Sequence, residues 1–282
     1  MYWLNRHTQH GNQFIHVVNF INLNVMSMHA KFESRSDLLP YEATHNHLLA
    51  AMLPDEFEHL KPHLELLKIQ QGSVLQEAGS KLHHIWFPTT ASGSLQYLTE
   101  DGASMEIAGI GSEGIFGLPL FMGRTINSDQ LIVQTSGYAY RLKSDLALQE
   151  FHRNKSFQRL ILLYMQTMIT QLSTMAVCNR YHSIEQQLCR WLLLIVGRQG
   201  DRSELVLTQE AIAGMLGVRR EGVTEAAGNL KDIGLINYRR GHIKVIDSNG
   251  LEKCACECHK VIKQEFAHLL SMYEAAKKLF LK

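Results

Sequence analysis

The apolar pattern of this chain is strand-like from about Leu66 to Leu142 and turns helical after Ser144, and that change limits the folds open to it. From about Leu66 to Leu142 the apolar residues fall in short runs: LELLKI, HHIWF, SLQYLT, SMEIAGI, QLIVQT and YAYRL. Each is bounded by Gly, Ser, Asn or Asp. Evenly spaced short strands with turn residues between them predict a sandwich or roll. Glu100-Asp101-Gly102 reads as one of its hairpin turns, because glycine takes a positive φ without steric cost. Ahead of the strands, Leu48, Leu49, Met52 and Leu53 have helical spacing, and Pro54-Asp55-Glu56 opens a further turn.

After Ser144 the period becomes helical. FQRLILLYMQTMITQLSTMAVCNR predicts a helix from about Ser156 to Asn179, roughly 35 Å long at 1.5 Å per residue. Ile161, Met165, Met168, Leu172 and Met175 step by four, three, four and three, which is a heptad seam. Such a stripe either packs within its own domain or meets its copy on a second chain. We take the second reading, a symmetric homodimer, with Leu160, Leu162, Leu163 and Ile169 turned toward the sheet. Ser183-Ile184-Glu185-Gln186 then has the form of a capping box that opens the helix EQQLCRWLLLIV.

The stretch LTQEAIAGMLGVRREGVTEAAGNL, residues 207–230, carries the most specific spacing. Ile212, Leu216, Val218 and Val223 require a common core, Ala213 must be small where two helices cross, and Gly217 marks a left-handed turn. That is the requirement of a helix-turn-helix. It sets Arg219, Arg220, Glu221, Thr224 and Glu225 on the start and open face of the second helix, the part that enters a major groove. LINYRRGHIKVID follows as strand, turn and strand, a wing whose tip holds Arg239, Arg240 and His242 against phosphate. Thr208 and Gln209, opening the first helix, are placed to contact the DNA backbone.

Charge divides along the chain in the same sense. Residues 40–150 hold 13 acidic and 6 basic side chains, whereas residues 151–282 hold 12 and 19. The overall charge of +1 thus conceals one half that repels a polyanion and one that attracts it. With 282 residues, 45% of them hydrophobic, the chain can bury the cores of about two domains. No uninterrupted apolar run reaches the roughly 18 residues of a membrane span, so no membrane association is expected. The first segment lacks the small-residue site of a cleaved signal, Met26 and Met28 offer later translation starts, and a cytoplasmic location is expected. Five cysteines, three of them in Cys254-Ala255-Cys256-Glu257-Cys258, do not make a secreted disulfide framework. Continuous helical spacing there would put Cys254 and Cys258 on one face and turn Cys256 away, and Ala255 interrupts any Cys-x-x-Cys-His haem attachment ending at His259. These cysteines are read as structural, and no metal or other cofactor is expected. Glycine-rich phosphate loops, nucleophile elbows and HExxH are absent from the sequence, so no enzyme activity is expected.

From about Leu38 to Asp247 the chain resembles the Crp/Fnr family of bacterial transcription regulators, most closely over GVRREGVTEA. The resemblance implies an α+β fold. A double-stranded β-helix (jelly-roll) sensing domain at 38–150 would follow a weakly ordered extension at 1–37. A dimerisation helix and hinge would span 151–182, a winged helix-turn-helix 183–250 and a helical segment 251–282. It also implies a homodimer on a pseudo-palindromic double-stranded DNA site, with RNA polymerase as a further partner. Arg220 and Glu221 match the pair that reads a guanine and the opposite strand, Arg at guanine O6/N7 and Glu at cytosine N4. Glu225 stands where an Arg reader is usual, and Arg219 where a Ser or Thr caps the helix.

GIGSEGIFGLPLFMGRTINSDQLIVQT is similar to the family's cyclic-nucleotide cassette, and Gly117, Leu118, Arg124, Ser128 and Asp129 are its candidate effector pocket. Leu118 replaces the ribose-binding Glu, while Ser128 and Asp129 replace the phosphate-binding Arg-Ser pair. An apolar group cannot bond a ribose hydroxyl, and a carboxylate repels a phosphate, so cyclic AMP is not the expected effector. The competing reading is a sensor module of the same fold with a different effector and a weakened DNA-binding role.

Overall fold

The computed structural model describes residues 42–100, 102–199, 204–239 and 241–280. The expected extension at 1–37, Asp101 of the hairpin and Arg240 of the wing tip lie outside the described residues. Two short helices, α1 (His47–Ala51) and α2 (Pro54–Leu60), precede the strands, with Asn46 capping α1 through Leu49 N–H.

The strands are β1 (Glu65–Ile69), β2 (Val74–Gln76), β3 (His84–Pro88), β4 (Ser92–Leu98), β5 (Ser104–Ile110), β6 (Gln130–Thr135) and β7 (Gly137–Lys143). They form two antiparallel sheets, ordered β1-β7-β3 and β2-β6-β4-β5. All six expected strands are present. Within the roll β2 is the strand not expected, because three residues with one β-branched side chain carry too little pattern. Gly102 takes the predicted positive φ, 85°, in the β4–β5 hairpin. Ile85, Phe87, Phe116, Leu131 and Val133 are buried in the roll. Packing there is tight enough that a Cβ on Gly93 would come within 2.7 Å of the Phe116 ring.

Helix α3 (Ser144–Arg153) leads into α4 (Lys155–Tyr181), and α5 (Ile184–Arg198) starts at the predicted capping box. Gln186 N–H donates to Ser183 Oγ at 3.2 Å, and Ser183 N–H donates to Gln186 Oε1 at 3.1 Å. β8 (Glu204–Val206), α6 (Gln209–Leu216), α7 (Arg220–Asp232), β9 (Ile236–Arg239) and β10 (His242–Val245) build a winged domain with sheet order β8-β10-β9. α8 (Ser248–Cys254) and α9 (Glu257–Phe280) are the last described elements.

The long helix is oriented differently from expectation. Ile161, Met168 and Met175 are 0%, 5% and 5% exposed, in the chain's own interior, so they cannot face a second copy. The exposed side instead carries Leu162 at 52%, Ile169 at 57%, and Leu172. The inward face packs on β5 and is closed by α9. Gln171 Nε2 donates to the Gly109 carbonyl at 3.3 Å, and Thr167 Oγ1 donates to Glu265 Oε1 at 3.2 Å. Gly114 lies where a Cβ would fall 2.1 Å from the Tyr164 ring, which makes glycine obligatory there. By length and composition α4 would suffice to cross a membrane, beyond what counting uninterrupted apolar runs had indicated. Its apolar residues are in part accounted for by this core.

Along α9, Leu269, Tyr273 and Ala276 are buried, and Phe266 and Leu270 pack on the first core. Val261 is turned out and Ile262 takes the inward place. The winged domain has a separate core of Leu188, Trp191, Ile212, Val223, Leu230 and Ile243 among others. It is tied to the roll by a largely buried ion pair, with Arg198 Nε 2.9 Å from Glu113 Oε1. Arg198 Nη2 also donates to the Gly109 carbonyl at 2.8 Å, and Gly111 N–H donates to Glu113 Oε1 at 3.0 Å.

Truncating a buried α9 side chain removes transfer energy and leaves a cavity. Leu269→Ala is expected to cost about 2–5 kcal/mol in urea denaturation. Val261→Ala, on the exposed side, should stay within about 0.5 kcal/mol.

Candidate nucleic-acid interface

Two helices and a strand pair position the basic face. Thr208 caps α6, its Oγ1 accepting from Ala211 N–H at 3.1 Å while its own O–H stays free to donate outward. α6 ends at Gly217, whose φ of 66° confirms the left-handed turn required by the sequence. Ile212, Ala213, Leu216 and Val223 are buried between the helices, as their spacing required. α7 crosses α5 closely at Gly222, where a Cβ would come within 2.5 Å of Ile184 Cδ1. Asn229 Nδ2 holds the same crossing by donating to Glu185 Oε2 at 3.0 Å.

With α7 fixed, Arg219, Arg220, Glu221, Thr224 and Glu225 are all exposed. Arg219 occupies the N-cap without a capping hydrogen bond, so a guanidinium stands at the positive end of the α7 dipole. Thr224 Oγ1 lies 2.9 Å from Gln209 Oε1 and 3.0 Å from the Arg220 carbonyl. Its single proton serves one of these acceptors at a time, which links the first turns of α6 and α7. Gln209 is thus partly engaged within the protein instead of standing free for DNA.

β9 and β10 pair through His242↔Arg239. Both residues are exposed beside Gly241, whose φ is 83°. His242 Nδ1 lies 3.2 Å from Glu204 Oε1 on β8. Lys244, exposed between buried Ile243 and Val245, adds a cation that was not singled out from the sequence, although strand alternation would have found it.

Of the five residues of the expected effector pocket, Arg124, Ser128 and Asp129 lie near one another, and Leu118 turns toward the roll core. Gly117 starts a 3-10 turn (Leu118–Met122) with φ 96°, and Leu118 packs against the roll core. Arg124 and Ser128 line an open surface cleft with Gly79, Thr125, Ile126 and Asn127. Burial raises the Asp129 carboxyl above its ordinary range, opposed by a hydrogen bond from Ser128 and by the charge of Arg124.

Residues 186–254 match the family model of the Crp-like helix-turn-helix domain. No sequence relative is found among curated proteins. Among solved structures, a Crp/Fnr-family protein of Eubacterium rectale, assigned as a transcriptional regulator, is 15% identical with a TM-score of 0.62, covering 75% of this chain and 98% of that one. FixK2 of Bradyrhizobium japonicum is 12% identical with a TM-score of 0.59, covering 68% and 98% of the two chains. The CRP-family regulator TTHB099 of Thermus thermophilus is 15% identical with a TM-score of 0.56, covering 67% and 96%. Residues 186–254 are a Crp-like helix-turn-helix domain by this match, and the chain shares the fold of these solved structures.

Proposed function

We propose that the protein acts as a dimeric transcription regulator in the cytoplasm, reading a pseudo-palindromic duplex with α7 in the major groove of each half-site. The observation that carries this reading is the convergence of Arg219, Arg220, Glu221, Thr224 and Glu225 on one exposed face beside a basic wing. Arg220 has the fork to pair with guanine O6 and N7, and Glu221 can accept from cytosine N4. Arg219, uncapped at the helix start, gains most from a nearby phosphate. Arg239, His242 and Lys244 suit the flanking backbone, to which Arg240 would add. Thr208 can donate to the backbone from the start of α6. Glu225 in place of a third arginine argues for a half-site unlike that of catabolite-type members. Transcription would respond through the placement of RNA polymerase near the bound site.

Two copies of α7 must sit about 34 Å apart to read successive major grooves, which requires a symmetric partner. The face of α4 left open by its own core supports one. Leu162, Ile169, Leu172 and Ala176 are exposed at heptad spacing with Met165 half-buried at the edge, a stripe that keeps Met165 and Leu172 of the expected seam and shifts its other three positions by one residue. The packing of Leu118 into the core and the placement of Asp129 near Arg124 support an effector other than cyclic AMP, or none.

Arg220→Ala should lower the preference for the selected site over random duplex by about 1–3 kcal/mol in fluorescence anisotropy, leaving nonspecific affinity little changed. Equal loss on both duplexes would assign Arg220 to the backbone instead. Ile169→Glu should convert a dimer to a monomer in sedimentation equilibrium while the chain keeps its folded circular-dichroism spectrum. A dimer that survives this change would place the interface elsewhere.

A further inference from the structure

The end of α4 meets the junction of α8 and α9. Cys178 lies in the last turn of α4, and His182 is the extended C-cap of that helix, its N–H donating to the Cys178 carbonyl at 3.1 Å. α8 ends at Cys254, Ala255 is extended at φ −71° and ψ 153°, and α9 begins at Glu257. Because the helix breaks, Cys256 and Cys258 both reach α4, and Cys254 is not among the group. The arrangement expected from continuous helical spacing is reversed.

Cys178 Sγ lies 3.5 Å from Cys256 Sγ, and Cys258 Sγ lies 3.6 Å from His182 Nδ1. The four ligand atoms are all within 4.8 Å of one another. Bonds of about 2.3 Å to sulfur and 2.0–2.1 Å to nitrogen around a tetrahedral ion set its ligands about 3.5–3.8 Å apart. The two printed distances match such edges, and the others need close by no more than about 1 Å. The group is too tight for an iron-sulfur cluster, whose ligands must span several metal atoms.

Two neighbours point to the same occupant. His182 Nε2 lies 3.2 Å from Glu257 Oε2, so its N–H can donate there and leave the Nδ1 lone pair facing the thiols. A carboxylate behind a histidine in this way is the usual support of a metal ligand. Arg190 is 1% exposed and stands beside Cys178. Its Nη1 meets Met175 Sδ at 2.8 Å, while Nε and Nη2 have no hydrogen-bond partner among the described residues. A buried guanidinium without an anion is costly. Three thiolates around a dication carry a net charge of −1, which supplies that counter-charge.

We propose that Cys178, His182, Cys256 and Cys258 bind one thiophilic divalent cation, zinc by ligand chemistry, which clamps the α4–α5 hinge to the C-terminal segment. Binding releases the three thiol protons to solvent, and the ion takes the thiolate and imidazole electron pairs without change of oxidation state. The site is independent of the DNA-binding reading. His182 directly precedes Ser183, the cap of α5, so the ion would stiffen the joint from which the winged domain leaves α4.

The test is metal analysis of the full-length protein purified under reducing conditions and loaded with Zn²⁺ or Co²⁺. One equivalent per chain is expected, and the cobalt form should show thiolate charge transfer with the intense visible bands of tetrahedral coordination. Cys256→Ser and Cys258→Ser should abolish that spectrum, whereas Cys189→Ser and Cys254→Ser should keep it. Glu257→Gln, at an exposed position that tolerates change, should weaken affinity about 10-fold or more in a chelator competition with stoichiometry retained. A pale octahedral cobalt spectrum, stoichiometry indifferent to both ligand variants, unchanged affinity in Glu257→Gln, or a Cys178–Cys256 disulfide in protein purified with zinc would overturn the proposal.

Discussion

Burial of one face of α4 sets the position of nearly everything else. Ile161, Tyr164, Met168 and Met175 are withdrawn from water, with β5 packed on one side and α9 on the other. Each such side chain contributes about 1.5–3 kcal/mol relative to exposure, so the rotation of the helix about its axis is strongly determined. Once that rotation is set, Leu162 and Ile169 must point outward, and the end of the helix must deliver Cys178 and His182 toward the C-terminal segment. The Arg198–Glu113 pair then fixes α5 against the roll. Removing either partner would strand a charge in a largely dry joint, which typically costs more than the pair contributes when intact.

The winged domain shows a division of labour between apolar and polar residues. Apolar side chains within α6 and α7 set the angle at which the second helix leaves the turn, and Gly217 provides the only cheap backbone route through it. The polar residues carry little of the fold. Arg219 even costs some helix stability, since it neither caps α7 nor complements its dipole. A residue that works against its own helix is understandable where a phosphate supplies the missing negative charge.

Legibility in the sequence follows the range of the interaction. Features within one or two turns were readable: the Ser183–Gln186 box, the Gly217 and Gly102 turns, and the six short apolar runs that became strands. The inward face of α4 was not readable, because the stripes through Ile161 and through Leu162 are both apolar and differ by one residue. Only the arrival of α9 from about a hundred residues away decides between them. The same applies to the cysteines. Periodicity assumed one unbroken helix through Cys254–Cys258, and no local pattern joins Cys256 to Cys178, 78 residues earlier. The expected effector residues divide between two environments for a related reason. Leu118 answers to the core, whereas Arg124 and Ser128 lie on an outer cleft.

The central claim is that the exposed face of α7, duplicated by symmetry, reads base edges. Its most direct test is methylation interference with hydroxyl-radical footprinting of the full-length protein on duplexes selected from a random library. The account predicts an enriched pseudo-palindrome with interfering guanines in two major-groove patches whose centres lie about 10–10.5 base pairs, or a multiple of that, apart. Failure to enrich any sequence, or protection confined to a single patch without interference at guanine N7, would contradict it.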